Sequence, residues 1–212
     1  MVEGMTVKRD LERDTITTFD NVVHKRDEIL EKMLDDDFYY GYLGKNALSS
    51  SSLKKILTSP KEYVMGLEEG GPESSALIDG RLFHMNLLEP EKFNELNIVE
   101  VASKNTKIFK AAKEELGEVY TRAEIDRAEN LCSILKKNKI AMEYLEGADF
   151  EVPEMAMIDG IPFRGKADIV KGKKIIDIKT TADIQNFYFS ARKFGYDLQA
   201  ALYLKLFEEA EE

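Results

Sequence analysis

The sequence predicts an α/β (α+β) protein with a helical amino-terminal region and a sheet in its second half. Apolar residues recur at helical spacing through most of the first 145 residues. From Phe150 to Thr180 the pattern changes to extended segments, and the two-residue turn signal Asp159-Gly160 separates two of them. Two more helical patterns close the chain. The predicted order is therefore helices, a three-stranded meander and two helices.

Most helices of the first half have a recognisable start or end. Serine hydroxyls at 49–52 can cap a helix, and Pro60 ends that helix and can begin the next one. Pro90 is predicted to end a later helix, and the aromatic run 38–42 is interpreted as an ordered loop. The predicted helices cover, in chain order, 17–34, the segments before and after Pro60, 73–88, 106–116, 121–145, 183–192 and 196–211.

Three strands are predicted in the second half. They cover 150–158, 161–170 and 174–180, each bounded by turn residues. The segment 171–173, Lys-Gly-Lys, is predicted to form a hairpin turn between the last two strands. The three strands therefore follow one another in the sheet in the order in which they follow one another in the chain.

Composition excludes several kinds of site. The single cysteine, Cys132, cannot form an internal disulfide, which indicates a reducing compartment, and it cannot build a four-cysteine zinc site or an iron–sulfur cluster. With only two histidines, His24 and His84, a metal site would be mostly oxygen-liganded, which favours Mg²⁺ or Mn²⁺ over zinc. No run of eighteen apolar residues predicts a membrane span, and the amino terminus lacks the apolar centre of a secretory signal.

Charge is unevenly distributed along the chain. The net charge of −10, taken alone, argues against a nucleic-acid-binding protein, because phosphate contacts need Lys and Arg. The segment from Arg164 to Lys179 nevertheless holds six basic residues and only two acidic ones, Asp168 and Asp177. A local basic groove is therefore compatible with an acidic protein.

The strongest candidate catalytic set lies on the predicted hairpin. Side chains alternate across a strand, so Asp177 and Lys179 are predicted to share one face while Ile176 and Ile178 face the core. The hairpin turn would bring Asp168 close to Asp177. Two carboxylates and one ammonium group would then meet at one place.

Phosphodiester hydrolysis needs such a set. Two carboxylates can hold one or two Mg²⁺ ions, and the backbone carbonyl of Ile178 could supply a further ligand. A nearby lysine can orient the attacking water and stabilise charge on the phosphate. The alternative interpretation is that Asp168 and Asp177 are ordinary strand residues paired with Lys179, because this spacing alone is a weak signal.

A wider pattern resembles the PD-(D/E)xK nuclease superfamily. Gly165-Lys166-Ala167-Asp168 followed by residues 175–181, IIDIKTT, is similar to its core motif. Downstream, residues 199–203, QAALY, resemble the Q-x-x-x-Y helix motif of the RecB-like branch. Upstream, residues 80–84, GRLFH, resemble the G-x-x-x-H motif of that branch. The resemblance implies a restriction-endonuclease-like core, in which helices flank a central mixed sheet.

The finer resemblance is to the exodeoxyribonuclease VIII (RecE-like) group. It spans about residues 46–207 and is carried by the segments 47–63, 80–90 and 196–203. It implies a tail and one helix over 1–45 and a single nuclease domain over 46–212. Related chains usually continue past the closing helix into further strands, so this chain is expected to lack carboxy-terminal strands.

The resemblance also implies roles for single residues. His84 is expected to bind metal together with Asp168, Asp177 and Ile178. Gln199 and Tyr203, one turn apart on one helix face, are expected to complete the catalytic set by positioning the lysine, a metal-bound water or the DNA strand. Four further residues are expected in supporting or DNA-contacting roles: Glu154, Arg164, Lys166 and Thr180.

The function implied by the resemblance is that of a Mg²⁺-dependent DNA exonuclease, with Mn²⁺ able to substitute. Such an enzyme would resect linear double-stranded DNA from an end, 5′ to 3′, in phage-type recombination. The implied partners are double-stranded DNA and a single-strand annealing protein, the implied assembly is a homo-oligomer, and the implied location is the cytoplasm of a bacterial or phage-infected host.

Two alternatives remain open at this point. Within the class, the chain could be a RecB-like or CRISPR-associated nuclease, although most CRISPR-associated relatives use a four-cysteine iron–sulfur cluster that this sequence cannot build. From another class, the chain could be a catalytically inert DNA- or partner-binding module on the same fold. The candidate set Asp168, Asp177 and Lys179 argues against the inert module, because a cluster of carboxylates is costly to keep without a use.

Overall fold

A computed structural model describes residues 14–69, 74–208 and 210. Its mixed α/β architecture confirms the predicted fold class. The helices are α1 (Arg26–Lys32), α2 (Leu43–Asn46), α3 (Ser50–Thr58), α4 (Pro60–Glu69), α5 (Ser75–Leu88), α6 (Pro90–Asn94), α7 (Lys107–Leu116), α8 (Arg122–Lys136), α9 (Lys139–Leu145), α10 (Phe187–Lys193) and α11 (Tyr196–Leu206). The strands are β1 (Thr15–Thr17), β2 (Val23–Lys25), β3 (Asn97–Val99), β4 (Val119–Thr121), β5 (Asp149–Ile158), β6 (Ile161–Lys171) and β7 (Lys174–Ile176).

The described residues divide into two compact units. The first unit lies within Met1–Gly70, Pro153–Lys166 and Tyr188–Ala210, and the second within Gly71–Val152 and Ala167–Phe187. No helix in the part of the chain that the structure describes is both long and apolar enough to cross a membrane.

Within the described residues of the first unit, a hairpin and a short helix replace the predicted helix over 17–34. β1 and β2 pair antiparallel, with Ile16 opposite His24, and only Arg26–Lys32 is helical. The physical reason is local: Asn21 adopts a positive φ of 64° in the turn, and the β-branched residues on either side favour strands. Ile16 then packs into a core with Ile29 of α1.

A π-helix over Asp37–Tyr42 replaces the loop predicted at 38–42. It continues directly into α2, and its Tyr39 side chain is buried in the same core as Ile29 and Leu43. The prediction of a loop was wrong because part of this aromatic run is buried. Buried backbone N–H and C=O groups need hydrogen-bond partners, and a helical backbone provides them within the segment.

The serine run does begin a helix, as predicted. Ser49 is the N-cap of α3, and its hydroxyl accepts a hydrogen bond from the Ser52 backbone N–H at 3.3 Å. Pro60 then starts α4, which confirms the predicted break. Immediately before α3, Leu48 pairs with Phe163 of β6 in a parallel bridge, which anchors the start of that helix to the strand.

The second unit is built around the long helices α5 and α8, which pack against each other. One part of its core contains Leu82 and Ile125, and another contains Phe83, Cys132 and Ile169. The Cys132 thiol donates a hydrogen bond to the Phe83 carbonyl oxygen at 3.5 Å, and burial raises the pKa of this thiol. Cys132 is therefore a structural residue of the core.

A small parallel pair of strands, β3 and β4, was not predicted. The helix α7 connects them, as a crossover between parallel strands requires, and Thr121 ends β4 and also caps α8. Both strands have only three residues, too few for an alternating pattern to be visible among the helical segments around them.

The predicted three-stranded meander is confirmed, with the order β5-β6-β7. Asp159 and Gly160 both have positive φ, 51° and 77°, as a two-residue hairpin turn between β5 and β6 requires. β6 pairs antiparallel with β7, and Ile169 lies opposite Ile176. The third strand is shorter than predicted, because β7 ends at Ile176 and not at Thr180.

Candidate active site

Three side chains of the second unit come together as a group that could hold a metal ion. They are His84 of α5, Glu151 of β5 and Asp168 of β6, and each offers one ligand atom within 4.8 Å of the others. His84 Nδ1 lies 3.5 Å from Asp168 Oδ2. Asp168 is only 8% exposed, whereas His84 and Glu151 are half-buried. An imidazole and two carboxylates thus converge from one helix and two strands.

The Asp168 carboxylate is oriented by the backbone that follows β7. The Ile178 N–H donates a hydrogen bond to Asp168 Oδ2 at 2.8 Å. This bond explains why the third strand is shorter than predicted: the Ile178 amide bonds a side chain rather than a partner in the strand ladder. Ile176 and Ile178 pack against the core that contains Ile169, as predicted. The backbone carbonyl of Ile178 as a metal ligand stays a prediction.

Asp177 and Lys179 form an ion pair just beyond the end of β7. Lys179 Nζ lies 2.5 Å from Asp177 Oδ2, and each side chain keeps about a quarter or less of its surface exposed, at 22% and 25%. The predicted placement of both residues on the face of a strand was wrong, because β7 ends one residue before Asp177. The Lys179 ammonium and the Asp177 carboxylate are nevertheless held side by side, as the sequence analysis predicted.

Burial and neighbouring charges shift two pKa values in this group. Burial lowers the pKa of His84, but the hydrogen bond and charge of Asp168 outweigh burial and leave that pKa raised above 6.5. Burial and the charge of Asp168 raise the pKa of Asp177 above 3.8, although the Lys179 ammonium acts in the opposite direction. A bound cation would relieve this repulsion between carboxylates.

The donor set suits a hard or borderline divalent cation. Two carboxylates and one imidazole are available from His84, Glu151 and Asp168, and none of the three is a thiol. Oxygen-rich sets of this kind are typical of Mg²⁺ and Mn²⁺, while an imidazole is also accepted by first-row transition metals. The residues therefore fit a divalent metal of the class that the sequence predicts.

Glu151 is the residue that the sequence analysis missed. Glu151 and Glu154 lie on either side of Pro153, and an odd separation places them on opposite faces of a regular strand. Glu154 instead pairs with Arg26 at 2.5 Å and accepts the Met155 N–H, and burial raises its pKa. Glu151 has a positive φ of 50°, a local departure from strand geometry that no sequence pattern predicts.

Tyr203 of α11 contacts the backbone of β6 within the first unit, and Gln199 contacts Tyr203. The Tyr203 hydroxyl donates to the Lys166 carbonyl oxygen at 2.8 Å, and Gln199 Nε2 donates to the Tyr203 hydroxyl at 3.2 Å. Lys166 precedes Asp168 by two residues on the same strand. A Cβ on Gly165 would stand 2.9 Å from the Tyr203 ring, so only glycine allows this close approach.

The other predicted residues have defined partners. Lys166 Nζ is paired with Asp36 at 3.0 Å and lies 4.7 Å from the centre of the Tyr39 ring. Its ammonium group therefore has its partners within the first unit. The Arg164 guanidinium lies 4.2 Å from the centre of the same ring. In the second unit, the Thr180 hydroxyl oxygen would be 3.5 Å from a Cβ on Gly80, the glycine of the G-x-x-x-H segment.

Comparisons with known proteins identify a family and a shared fold. A family model described as a "PDDEXK-like domain of unknown function (DUF3799)" matches residues 49–212. A crystal structure of a "Putative exonuclease" from Eubacterium rectale has a TM-score of 0.53 and 20% identity. The alignment covers 81% of this chain and 66% of that one, so the chain spans less than two thirds of that protein. At this identity the likeness shows a shared fold alone.

No curated protein sequence is significantly similar to this chain. The family match alone extends from residue 49 to the last residue, and it includes His84, Asp168, Asp177 and Lys179. The shared fold of the Eubacterium rectale structure points in the same direction. The chain therefore belongs to the PDDEXK-like domain family DUF3799, within the PD-(D/E)xK nuclease superfamily.

Proposed function

We propose that this protein is a divalent-metal-dependent nuclease that hydrolyses phosphodiester bonds in DNA. The observation that carries the proposal is the convergence of His84, Glu151 and Asp168 in a chain of the PD-(D/E)xK superfamily. The Asp177–Lys179 pair, which lies in the same unit, adds the ammonium group that phosphate chemistry uses.

The metal would be held by His84, Glu151 and Asp168, and we keep Asp177 and the Ile178 carbonyl as further proposed ligands. When bound, Mg²⁺ or Mn²⁺ would supply a water of lowered pKa and positive charge opposite the phosphate. The chain's own contribution is a fixed set of donors: the Ile178 N–H holds the Asp168 carboxylate in one orientation before any ligand arrives.

Lys179 is the residue to which we assign a direct contact with the reacting phosphate or with the attacking water. Its ammonium is held beside Asp177, which fixes the position of the positive charge. Preorganised donors of this kind stabilise the negative charge that develops on phosphoryl oxygens. Tyr203 and Gln199 act as positioning residues, since the Tyr203 hydroxyl bonds the Lys166 carbonyl of β6 and Gln199 bonds that hydroxyl.

A finer assignment rests on the resemblance to the exodeoxyribonuclease VIII (RecE-like) group. It proposes a 5′ to 3′ exonuclease that resects linear duplex DNA for phage-type recombination, works as a homo-oligomer and passes its product to an annealing protein. The fold shared with a protein described as a "Putative exonuclease" supports this choice among nucleases. The domain boundary between residues 45 and 46 also remains a proposal.

The test is cleavage of end-labelled linear duplex DNA by the wild-type protein and by Lys179→Ala. We expect shortening from the ends with Mg²⁺ or Mn²⁺, none with EDTA, and a rate lowered by about 100-fold or more in the variant. A closed circular duplex should resist cleavage, and labels at the 5′ and 3′ ends give the polarity. Lys173→Ala removes the same charge from the exposed hairpin turn and serves as the matched control.

Each other outcome has a definite meaning. Cleavage of closed circles would replace the exonuclease by an endonuclease. Unchanged cleavage by Lys179→Ala would contradict the role given to this lysine. Absence of cleavage on duplex and single strands with both metals would leave an inert binding module as the function of the fold.

A further inference from the structure

The first unit contains a polar pocket that the proposed chemistry does not use. Its volume is about 320 Å³. Three basic side chains, those of Lys45, Lys55 and Arg164, and three serines, Ser49, Ser51 and Ser52, are among the residues that line it. None of the described residues that line the pocket is acidic, in a protein whose net charge is −10. The pocket is therefore a local concentration of positive charge and hydroxyl donors.

The backbone brings these groups together from distant parts of the sequence. The Leu48 N–H donates to the Pro162 carbonyl oxygen at 2.9 Å, and the Arg164 N–H donates to the Leu48 carbonyl oxygen at 2.8 Å. Ser49, the next residue, caps α3. The start of α3 is thus tied to β6 directly beside Arg164. Amides in the first turn of a helix have no partner within the helix, and they carry partial positive charge.

Arg164 supplies an independent sign that the pocket takes a ligand. Its side chain is 94% buried, since its exposed fraction is 6%, and its guanidinium lies against the Tyr39 ring. Among the described residues, none accepts a hydrogen bond from its buried Nε. Buried donors are almost always paired, because an unpaired one costs free energy. The Arg164 guanidinium also lines the pocket, where its positive charge suits an anion.

Two glycines keep space open beside the cations. A Cβ on Gly44 would stand 3.9 Å from Arg164 Nη2, and a Cβ on Gly66 would stand 3.8 Å from Lys55 Nζ. Any larger side chain at either position would occupy the room next to a positive charge. The wall is therefore shaped so that another group can reach these nitrogens.

We propose that this pocket binds a phosphate group of the nucleic acid on which the enzyme acts. A guanidinium, two ammonium groups and several hydroxyls match the several oxygen atoms and the negative charge of a phosphate group better than they match a carboxylate. The inference rests on the proposed function. The same chemistry is offered by a terminal phosphomonoester and by a phosphodiester within the strand.

Binding can be measured without cleavage and therefore separately from the proposed catalysis. Short duplexes carrying a 5′-phosphate, a 3′-phosphate or only hydroxyl ends are titrated with the full chain in EDTA, and the Kd is read from fluorescence anisotropy. The variants are Lys45→Gln and Lys55→Gln, both at exposed positions, so folding is not at risk. Lys61→Gln removes the same charge from an exposed position of α4 outside the pocket and is the control.

If the pocket takes a terminal phosphate, wild-type protein prefers one phosphorylated end by about tenfold, and the pocket variants lose that preference. If it takes an internal phosphate, the three duplexes bind alike, and each pocket variant weakens all of them by about tenfold. Pocket variants that bind every duplex as tightly as wild type or Lys61→Gln overturn the proposal. Because binding is read in EDTA without cleavage, failure of the proposed catalysis and failure of this site are distinguishable.

Discussion

Asp168 contacts three separate segments of the second unit. Its carboxylate accepts the Ile178 N–H, lies 3.5 Å from His84 Nδ1 and belongs to the same candidate metal group as Glu151. Each of these partners comes from a different element. A single buried carboxylate thus joins α5, β5 and the segment after β7, which is why its position depends on the whole unit and not on its own strand.

Gly165 is the residue whose role is easiest to test by substitution. A Cβ at this position would lie 2.9 Å from Leu206 Cδ1 and 2.9 Å from Tyr203 Cε1, and both side chains are buried. We expect Gly165→Ala to lower the free energy of unfolding by roughly 1–3 kcal/mol, because a packed interface has to shift. Urea unfolding followed by circular dichroism measures the change.

The control for this substitution is Gly41→Ala. A Cβ on Gly41 would meet nothing within 4 Å, and the residue has no positive φ. In a helical segment, alanine should leave stability unchanged or raise it by up to about 1 kcal/mol. Equal stability of Gly165→Ala and wild type would show that α11 does not pack on β6 as closely as the structure has it.

The two glutamates of β5 show how far single residues could be predicted. The sequence analysis named Glu154 and did not consider Glu151, which the structure places in the candidate metal group with Asp168. A positive φ at Glu151 changes the local backbone, and Arg26, distant in sequence, pairs with Glu154. Neither the positive φ of Glu151 nor the pairing of Glu154 with Arg26 can be predicted from the neighbouring residues.

At the scale of elements, α8 has the most complete helix start in the second unit. The Thr121 hydroxyl oxygen accepts the Glu124 N–H at 3.4 Å, and Glu124 Oε2 accepts the Thr121 N–H at 2.9 Å, which is a capping box. Lys104 Nζ lies 2.7 Å from Glu124 Oε1. Glu124 is buried, so these partners replace the water that its carboxylate would otherwise bind.

This capping box should make stability depend on pH. Burial raises the pKa of Glu124, but the bonds from Lys104 and Thr121 outweigh burial and leave it below its ordinary value of 4.5. A depressed pKa in the folded state means that the carboxylate stabilises the fold at pH above 4.5 and that this contribution disappears as the pH falls through the folded-state pKa. Glu124→Gln should therefore be less stable than wild type by roughly 1 kcal/mol at pH 7, with a smaller difference at pH about 3.

The N-cap of α7 provides the comparison. Thr106 accepts the Phe109 N–H at 3.2 Å through a neutral hydroxyl. Thr106→Ala should cost about 1 kcal/mol at both pH values, since no ionisable group takes part in the cap. Chemical denaturation at pH 7 and pH 3 measures both variants. A Glu124→Gln effect that is the same at the two pH values would contradict the role given to its charge.

At the scale of the whole molecule, the protein is acidic but has a local group of basic side chains. A net charge of −10 repels DNA at a distance, while the basic groups of Lys45, Lys55 and Arg164 line one pocket. Attraction to nucleic acid must then come from few local contacts. Few phosphate contacts mean a weak dependence of affinity on salt.

Salt titration tests this view of the whole molecule. With three pocket cations as the main phosphate contacts, a plot of log K against log salt concentration should have a slope of about −3. Removing both charges in Lys45→Gln/Lys55→Gln should make the slope shallower by about 2. Binding of uncleaved duplex in EDTA from about 50 to 200 mM salt gives both slopes. A wild-type slope near −10 would show a far larger basic surface than this pocket.

By itself, the sequence determined the helix starts at Ser49 and Pro60, the meander with its Asp159-Gly160 turn, and the segments that carry His84, Asp168, Asp177 and Lys179. These features depend on local signals, namely periodicity, turn residues and short motifs. The fold class followed from them because sheets and helices have few ways of packing together.

Only the tertiary structure decided which groups meet. It ended β7 at Ile176 because the Ile178 amide bonds Asp168, and it selected Glu151 over Glu154 for the candidate metal group. It also placed Arg164 beside the start of α3. The reason is common to all three cases: each depends on a contact between residues far apart in the chain, and such a contact exists only once the chain has folded.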